Sequence, residues 1–252
     1  MIDILILAIN SDIPMLTKSI EGARRNISDG VNEVFVIAPK TDEMLSVCKN
    51  SNVNFINEVD SIGFSKNDFD IGNKVRNGWL YQQLLKLNGD KIASTQNFLV
   101  LDADHVLLKE HKFVNGNKFY FYSSNEYHEP YFKAISKLFA SKYHKIYKES
   151  FISDKMVFNK GVLSEMKEEI EGIHSKEWWK AIIDSYERSS FCGFSEFETY
   201  GTYISNKHND RVIMIDDGRL MCFEKRIEKM TNDEIEKEFG EHRSITEFKY
   251  AK

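Results

Sequence analysis

The chain is poor in the residues that build disulfide-stapled or membrane-spanning proteins. It has three cysteines and three prolines in 252 residues. An odd number of widely spaced cysteines without a C-x-x-C pair argues against a disulfide framework or a zinc site and is typical of reduced thiols. No apolar run approaches the roughly 20 residues that cross a bilayer. The apolar N-terminus has no basic flank, so we expect a buried first strand in a cytoplasmic globular protein.

The chain also lacks a basic excess. Lysine and arginine total 34 against 39 for aspartate and glutamate, a net charge of −5. Because duplex-DNA binders neutralise phosphates with a positive surface, no nucleic-acid partner is expected. The hydrophobic content of 42% is ordinary for a globular protein and suffices for a sizeable core. Without a low-complexity linker or an internal repeat, we expect one domain over residues 1–252.

Short apolar runs alternate with helical patterns through the first 110 residues, which is typical of a mostly parallel α/β sheet covered by helices. Strands are predicted there at Ile4–Ile9, Glu33–Ala38, Val53–Asn57 and Asn97–Leu101, and helices near Ile13–Ile27, Asp42–Lys49 and Lys74–Leu87. Later strands are predicted at Val106–Leu108, Lys118–Tyr122, Phe151–Phe158, Arg211–Ile215 and Leu220–Phe223, and later helices near Gly161–Glu171, Lys176–Arg188, Ser195–Asn206 and Asn232–Phe239.

Two aspartates directly follow the fourth predicted strand. Asp102 and Asp104 are one residue apart, so a continuing strand would point both carboxylates to one face. Ligands of open α/β sheets bind beyond the carboxyl ends of the strands, and carboxylate oxygens suit Mg²⁺ or Mn²⁺. The pair therefore predicts a metal site, although the same spacing also occurs in ordinary acidic loops. His105 is expected to be a surface residue.

The predicted helix Lys74–Leu87 combines an apolar stripe with polar residues at its edge. The stripe consists of Val75, Trp79, Leu80, Leu84 and Leu87 and predicts a core-facing side. Arg76, Gln82 and Gln83 would then lie at the edge of that side, where an arginine fork could bind a diphosphate. A solvated helix whose polar residues have no special role explains the pattern equally well.

Carboxylates in the second half of the chain are candidates for acid–base chemistry. Ser195 and Glu198 fit a capping box, which would make Glu198 structural. Glu196 would lie near the same helix start, where the dipole favours an ionised carboxylate and hence a general base. Asp154 and Lys155 interrupt an apolar strand; they either bind acceptor hydroxyls or a phosphate, or are charges on an edge strand.

Four segments together resemble the GT-A class of DxD glycosyltransferases. They are Arg76–Leu87, Leu101–Asp104, Ser150–Phe158 and Phe194–Gly201. Within that class the chain is similar to a group of small bacterial enzymes of unknown function from capsule and lipopolysaccharide loci. The resemblance extends from the first strand to about residue 206.

The resemblance implies a GT-A fold, a Rossmann-like, mostly parallel sheet flanked by helices. Residues 1–110 would bind a nucleotide-sugar donor, with a UDP-sugar favoured, and residues 111–252 would bind the acceptor. Mg²⁺ or Mn²⁺ would bridge the donor diphosphate to Asp104, with Asp102 closer to the ribose or a metal-bound water. The further donor contacts expected from the resemblance are Asn10, Ser11, Lys40, Arg76 and Gln83.

The resemblance also implies the reaction. Glu196, with Glu198 or Asp154 as alternatives, would deprotonate an acceptor hydroxyl for attack at the anomeric carbon, with inversion favoured and retention left open. The acceptor would be a saccharide, free or lipid-linked, in surface-polysaccharide synthesis in the cytoplasm or in transient contact with the inner membrane.

Two other functions are alternatives for this chain. A sugar-phosphate nucleotidyltransferase also combines an α/β sheet with Mg²⁺, but it usually has a glycine-rich basic loop after the first strand. Residues 8–12 here contain no glycine, which counts against it. A non-catalytic polysaccharide-binding module is the second alternative, and the intact acid pairs make it less favoured.

Overall fold

A computed structural model describes residues 1–222 and 227–247 of the chain. The strands are β1 (Ile2–Leu7), β2 (Val31–Ala38), β3 (Asn54–Asn57), β4 (Asn97–Asp102), β5 (His105–Leu107), β6 (Val114–Asn115), β7 (Lys118–Ser123), β8 (Lys155–Asn159), β9 (Val212–Asp216), β10 (Arg219–Cys222) and β11 (Ser244–Glu247). The helices are α1 (Ile13–Asn26), α2 (Asp42–Asn50), α3 (Glu58–Ile62), α4 (Lys74–Leu87), α5 (Glu129–Leu138), α6 (Lys160–His174), α7 (Trp178–Ser185), α8 (Glu196–Lys207) and α9 (Asn232–Phe239).

The centre of the structure is a five-stranded sheet in the order β3-β2-β1-β4-β8. Strands β1 to β4 pair in parallel, and β8 runs antiparallel to β4. All six residues of β1 are buried, as expected for a strand covered on both faces by helices. The main core joins residues of this sheet to buried residues of α4, α6 and α8. The predicted mostly parallel α/β architecture is confirmed.

Two smaller sheets complete the second half. One has the order β6-β7-β9, and the other has the order β10-β11-β5. In the second of these, β11 pairs antiparallel with β5, the strand that follows the two aspartates. The backbone N–H of Glu247 also donates to the carbonyl oxygen of Asp104 at 3.1 Å. The late strand β11 is therefore hydrogen-bonded to the segment that contains Asp104 and β5.

Several helices begin where the sequence supplies a side-chain cap. The side-chain oxygens of Thr41, Asn73, Asn159 and Ser195 each accept a backbone N–H in the first turn of the following helix. These bonds satisfy amide groups that have no partner inside a helix. The starts of α4 and α8, which both face the site described below, are thus set locally.

The structure differs from the predicted elements in several places. The predicted strand Phe151–Phe158 is extended only from Lys155, because Asp154 adopts a left-handed conformation with φ of 60°. Val75, predicted to be core, is 82% exposed, since the first turn of α4 projects beyond the core. The elements α5 and β11 were not predicted from the sequence pattern, and Phe223 of the last predicted strand lies outside the described residues. None of the described helices is long and apolar enough to span a bilayer.

Candidate active site

A cleft of about 400 Å³ opens at the carboxyl ends of β1, β2 and β4. Ile9 and Pro39 line it from the ends of β1 and β2, and Trp79 and Tyr81 line it from α4. Asp102 and Asp104 lie in the same lining. A pocket with mostly apolar walls and a few convergent polar groups is the usual form of a small-molecule site.

The cleft concentrates negative charge. Burial, with Asp102 and Asp154 nearby, raises the pKa of Asp104 to about 8. Burial also raises the pKa of Asp102 to about 6, against the opposing effect of Lys86. A divalent cation would relieve this repulsion, and two carboxylates are a donor set that suits Mg²⁺ or Mn²⁺. Within residues 1–222 and 227–247 no three acidic, histidine or cysteine side chains form a metal cluster, so other ligands would have to come from a diphosphate or water.

A buried lysine connects Asp102 to helix α8. Lys86 is 3% exposed, and its Nζ lies 2.7 Å from Asp102 Oδ1 and 2.8 Å from Glu196 Oε1. Burial alone would lower the pKa of Lys86, but the two carboxylates hold it above the ordinary value. Lys86 is therefore a permanent cation beside Asp102, a role that the sequence pattern did not indicate.

This connection changes the interpretation of two predicted site residues. Glu196 is 2% exposed and its carboxylate is occupied by Lys86, so it is placed to hold that lysine and not to meet an acceptor hydroxyl. Gln83 is 5% exposed, and its side-chain oxygen accepts the backbone N–H of Glu196 at 3.1 Å. Gln83 thus joins α4 to α8, and its neighbour Gln82 lines the cleft instead.

Glu198 is a second buried carboxylate with a positioning role. Its N–H donates to Ser195 Oγ at 3.2 Å, as a capping box requires. Its side chain, however, accepts from the Ser150 hydroxyl and from the Phe151 N–H. The predicted capping box is therefore only half formed, because Glu198 holds the segment before Asp154 instead of returning to Ser195. Burial raises the pKa of this carboxyl.

Asp154 is the predicted base candidate that the structure brings to the aspartate pair. Its carbonyl oxygen accepts the N–H of Asp102 at 2.9 Å. Its carboxylate is paired with Arg219 and accepts from the Thr246 hydroxyl at 2.7 Å, and it remains 17% exposed. Arg219 and Thr246 belong to β10 and β11, so no local pattern pointed to them.

Lys155 and His105 complete a hydrogen-bond chain to Asp154. Lys155 Nζ donates to His105 Nε2 at 3.2 Å, and His105 Nδ1 lies 2.7 Å from the Thr246 hydroxyl that reaches Asp154. His105 is fully buried, so its expected surface position is wrong. Burial lowers its pKa well below the usual value, which keeps the ring neutral.

Lys155 lies on β8 at the edge of the central sheet, as one of the two alternatives predicted, but its side chain is buried and is not a solvent-exposed charge. The residue is 1% exposed and forms an ion pair with Asp217. Burial lowers the pKa of Lys155 to about 8, because desolvation outweighs the attraction of Asp217.

Other expected donor contacts lie around the cleft and not in its lining. Asn10, in the turn that also contains Ser11, bonds to Glu43 and Thr41. Lys40 is exposed beside the lining residue Pro39. The basic residue that the described lining does contain is Lys66, which precedes α4 and which the sequence pattern did not single out.

Arg76 contacts the cleft-lining residue Trp79 but is not itself one of the described lining residues. Its guanidinium lies 4.3 Å from the ring centroid of Trp79 and 4.3 Å from that of Phe191. Its Nε donates to the carbonyl oxygen of Phe191 at 2.9 Å. Arg76 therefore joins the wall residue Trp79 to the loop before α8, and it is absent from the described lining of the cleft.

The same architecture occurs in solved glycosyltransferases. Apo mouse xyloside xylosyltransferase 1 superposes with a TM-score of 0.52 at 10% identity, over 98% of each chain. The galactosyltransferase LgtC, in complex with donor and acceptor sugar analogs, gives a TM-score of 0.47 at 14% identity, over 100% of this chain and 88% of LgtC. The fold is that of the GT-A class.

The chain itself belongs to a family of unknown function, DUF6492, whose sequence profile matches residues 15–236. No curated protein matches the chain.

Proposed function

We propose that this protein is a metal-dependent glycosyltransferase that moves a sugar from a nucleoside-diphosphate donor to a hydroxyl of a saccharide acceptor. The observation that carries the proposal is the position of Asp102 and Asp104 in the lining of a cleft, partly walled by apolar residues, beyond the strand ends of a GT-A fold. Apolar walls suit a nucleoside, and paired carboxylates suit a divalent cation that also binds diphosphate. The resemblance of the sequence favours a UDP-sugar and Mn²⁺ or Mg²⁺.

The residues around the cleft have different proposed roles. Asp104 and Asp102 would hold the ion, which when bound stabilises negative charge on the leaving diphosphate. Lys86 keeps the Asp102 carboxylate oriented, and Glu196 in turn keeps Lys86 in place. Lys66 adds a positive charge to the lining on the side of α4.

We assign the general base to Asp154 instead of Glu196. Of the three predicted candidates it is the one beside Asp102 with a partly exposed carboxylate: Arg219 and Thr246 bond to its Oδ2, but the side chain remains 17% exposed, whereas Glu196 and Glu198 are each 2% exposed. A base in this position would accept the proton of an acceptor hydroxyl as that oxygen attacks the anomeric carbon, and a direct displacement inverts that carbon. The proposed setting is surface-polysaccharide synthesis in the cytoplasm or at the inner membrane, on a free or lipid-linked saccharide.

Titration of UDP with and without Mn²⁺ tests the donor site. The wild-type protein is expected to bind UDP at least tenfold more tightly with Mn²⁺, and Asp104→Ala is expected to lose that gain because half of the protein ligand set is gone. Asp184→Ala, which removes an exposed carboxylate on α7, is the matched control. Equal Mn²⁺ dependence in wild-type protein and Asp104→Ala would refute the metal role.

The base assignment is tested with Asp154→Asn. Asparagine tolerates the left-handed backbone at this position, so the loop keeps its conformation while the proton acceptor is lost. Turnover with a UDP-sugar should fall at least about 100-fold with UDP affinity retained. Normal turnover would return the role to Glu196 or Glu198.

A further inference from the structure

Two aromatic rings are exposed on the loops beside the donor cleft. Among the described residues, the exposed large apolar side chains include only two aromatic ones, Tyr127 at 68% and Phe191 at 60% exposure. A single exposed apolar residue is ordinary, but rings gathered on one surface mark a binding site. The positions of the two rings relative to each other and to the cleft therefore decide whether they can contact the same ligand.

Each ring is held in a defined orientation by a neighbour behind it. Phe191 lies against the Arg76 guanidinium at 4.3 Å, and its carbonyl oxygen accepts from Arg76 and from the Tyr186 hydroxyl. Tyr127 is stacked on Phe132, with ring centroids 5.3 Å apart and planes 13° from parallel. Rings fixed in this way lose little freedom when a ligand packs on them.

A histidine ties the two loops together. His128, the residue after Tyr127, donates from Nε2 to the carbonyl oxygen of Cys192 at 2.8 Å. The same nitrogen lies 3.1 Å from Ser190 Oγ. The loops that carry Tyr127 and Phe191 are therefore in direct contact.

The two loops are linked to both sides of the proposed donor site. Glu126, the residue before Tyr127, pairs with Arg219 at 2.9 Å, and Arg219 holds the carboxylate of Asp154. On the other side, Arg76 connects Phe191 to Trp79 in the cleft wall. A molecule lying across Tyr127 and Phe191 would therefore extend toward Asp154 and the donor.

We infer that Tyr127 and Phe191 form the binding surface for the acceptor saccharide, an inference that rests on the proposed function. The weakly positive C–H faces of pyranose rings pack against the negative faces of aromatic rings. Glu126 is 51% exposed and offers carboxylate oxygens to sugar hydroxyls. A saccharide fits this mixture of flat apolar rings and an acidic acceptor group.

The first test measures saccharide binding without any donor. Methyl α- and β-glycosides of glucose, galactose, mannose and N-acetylglucosamine are titrated at millimolar concentration and followed by NMR through the ring signals of Tyr127 and Phe191, or through the remaining ring in each alanine variant. Tyr127→Ala and Phe191→Ala should each weaken binding about tenfold, and Phe191→Trp should retain it. Val75→Ala, an exposed apolar change outside this surface, is the control. Absence of binding to the wild-type protein, or wild-type affinity in both alanine variants, overturns the inference.

The second test separates this inference from the proposed function. With a UDP-sugar, the ratio of transfer to the bound glycoside over hydrolysis by water should fall about tenfold in Phe191→Ala. An unchanged ratio overturns the acceptor surface while leaving the donor site intact. Failure of the wild-type protein to bind UDP with Mn²⁺ refutes the proposed function instead, whatever the glycoside titration shows.

Discussion

Two buried lysines on either side of the aspartate loop show how the surroundings decide the state of a charge. Lys86 and Lys155 are 3% and 1% exposed, so desolvation opposes the charge of both. Lys86 contacts two carboxylates, which raise its pKa above the usual value. Lys155 has Asp217 as its closest carboxylate and lies near the cation Arg219, and its pKa falls to about 8. Both lysines are buried, so the two differ because Lys86 has direct ion pairs with two carboxylates, whereas Lys155 has one and is opposed by the neighbouring Arg219 cation.

The difference matters for the candidate site. Around Lys86, the carboxylates of Asp102 and Glu196 share one ammonium, and burial together with repulsion from Asp102 raises the pKa of the nearby Asp104 carboxyl, so a divalent cation bound here would relieve unfavourable charge. Around Lys155, acidic and basic groups are closer to balance, and the cluster positions Asp154 through His105 and Thr246. The first cluster is arranged for an ion and the second for a carboxylate held in a defined place.

Of the two lysines, Lys86 should contribute more to stability, so its replacement should have the largest effect. Lys86→Met leaves Asp102 and Glu196 close together without a cation, so the free energy of unfolding should fall by about 3–5 kcal/mol. Urea unfolding measures the loss, and added Mn²⁺ should restore more stability to this variant than to wild type. Lys176→Met, which breaks an exposed pair with Asp184, should cost less than about 1 kcal/mol. A loss for Lys86→Met as small as in that control would contradict this account.

Replacing Lys155 should have a smaller effect. Lys155→Met should destabilise the protein by about 2–3 kcal/mol, because Asp217 keeps Arg219 at 3.6 Å as a remaining partner. The double variant Lys155→Met/Asp217→Leu should recover most of the loss, since it removes both desolvated charges. Urea unfolding measures the stability of both variants. A double variant no more stable than the single one would show that the pair itself stabilises the fold.

The smallest expected effect is the pH dependence of the stability that Lys155 confers. The pKa of Lys155 lies at about 8 in the folded chain and near 10.5 in the unfolded chain, so between these values the unfolded state binds more protons. Stability from this residue therefore rises with pH across that window, by about 1–2 kcal/mol from pH 8 to 9.5. Comparing wild type with the Lys155→Met/Asp217→Leu variant at pH 7.5, 8.5 and 9.5 isolates the slope. Parallel pH profiles would contradict the lowered pKa.

Elements with a strong local pattern were predicted close to their observed positions. The strands around β1, β2 and β4 and the helix Lys74–Leu87 agree with the structure within a few residues. The same pattern placed Asp102 and Asp104 at the end of β4, where the cleft lies. These features depend on the alternation of apolar residues and on the rule that ligands bind at the carboxyl edge of parallel strands.

Side-chain partners across the chain were not predictable in this way. Gln82 and Gln83 are adjacent, and the helical rotation of about 100° between them sends one to the cleft and the other into the α4–α8 contact. Glu196 had the position of a helix-start carboxylate, but its role follows from Lys86, a residue on another helix. The partners of Asp154 come from the late strands β10 and β11, of which β11 carried no recognised pattern.

The sequence by itself determined the parallel sheet, its covering helices and the presence of two carboxylates at a strand end, because periodicity and strand ends are local properties of the chain. Only the tertiary structure decided that Lys86 joins Asp102 to Glu196, that Arg219 and Thr246 hold Asp154, and that the loops carrying the exposed rings of Tyr127 and Phe191 are in contact. Such pairings depend on which distant segments pack together, and periodicity reports the face on which a residue lies but not the partner that it meets there.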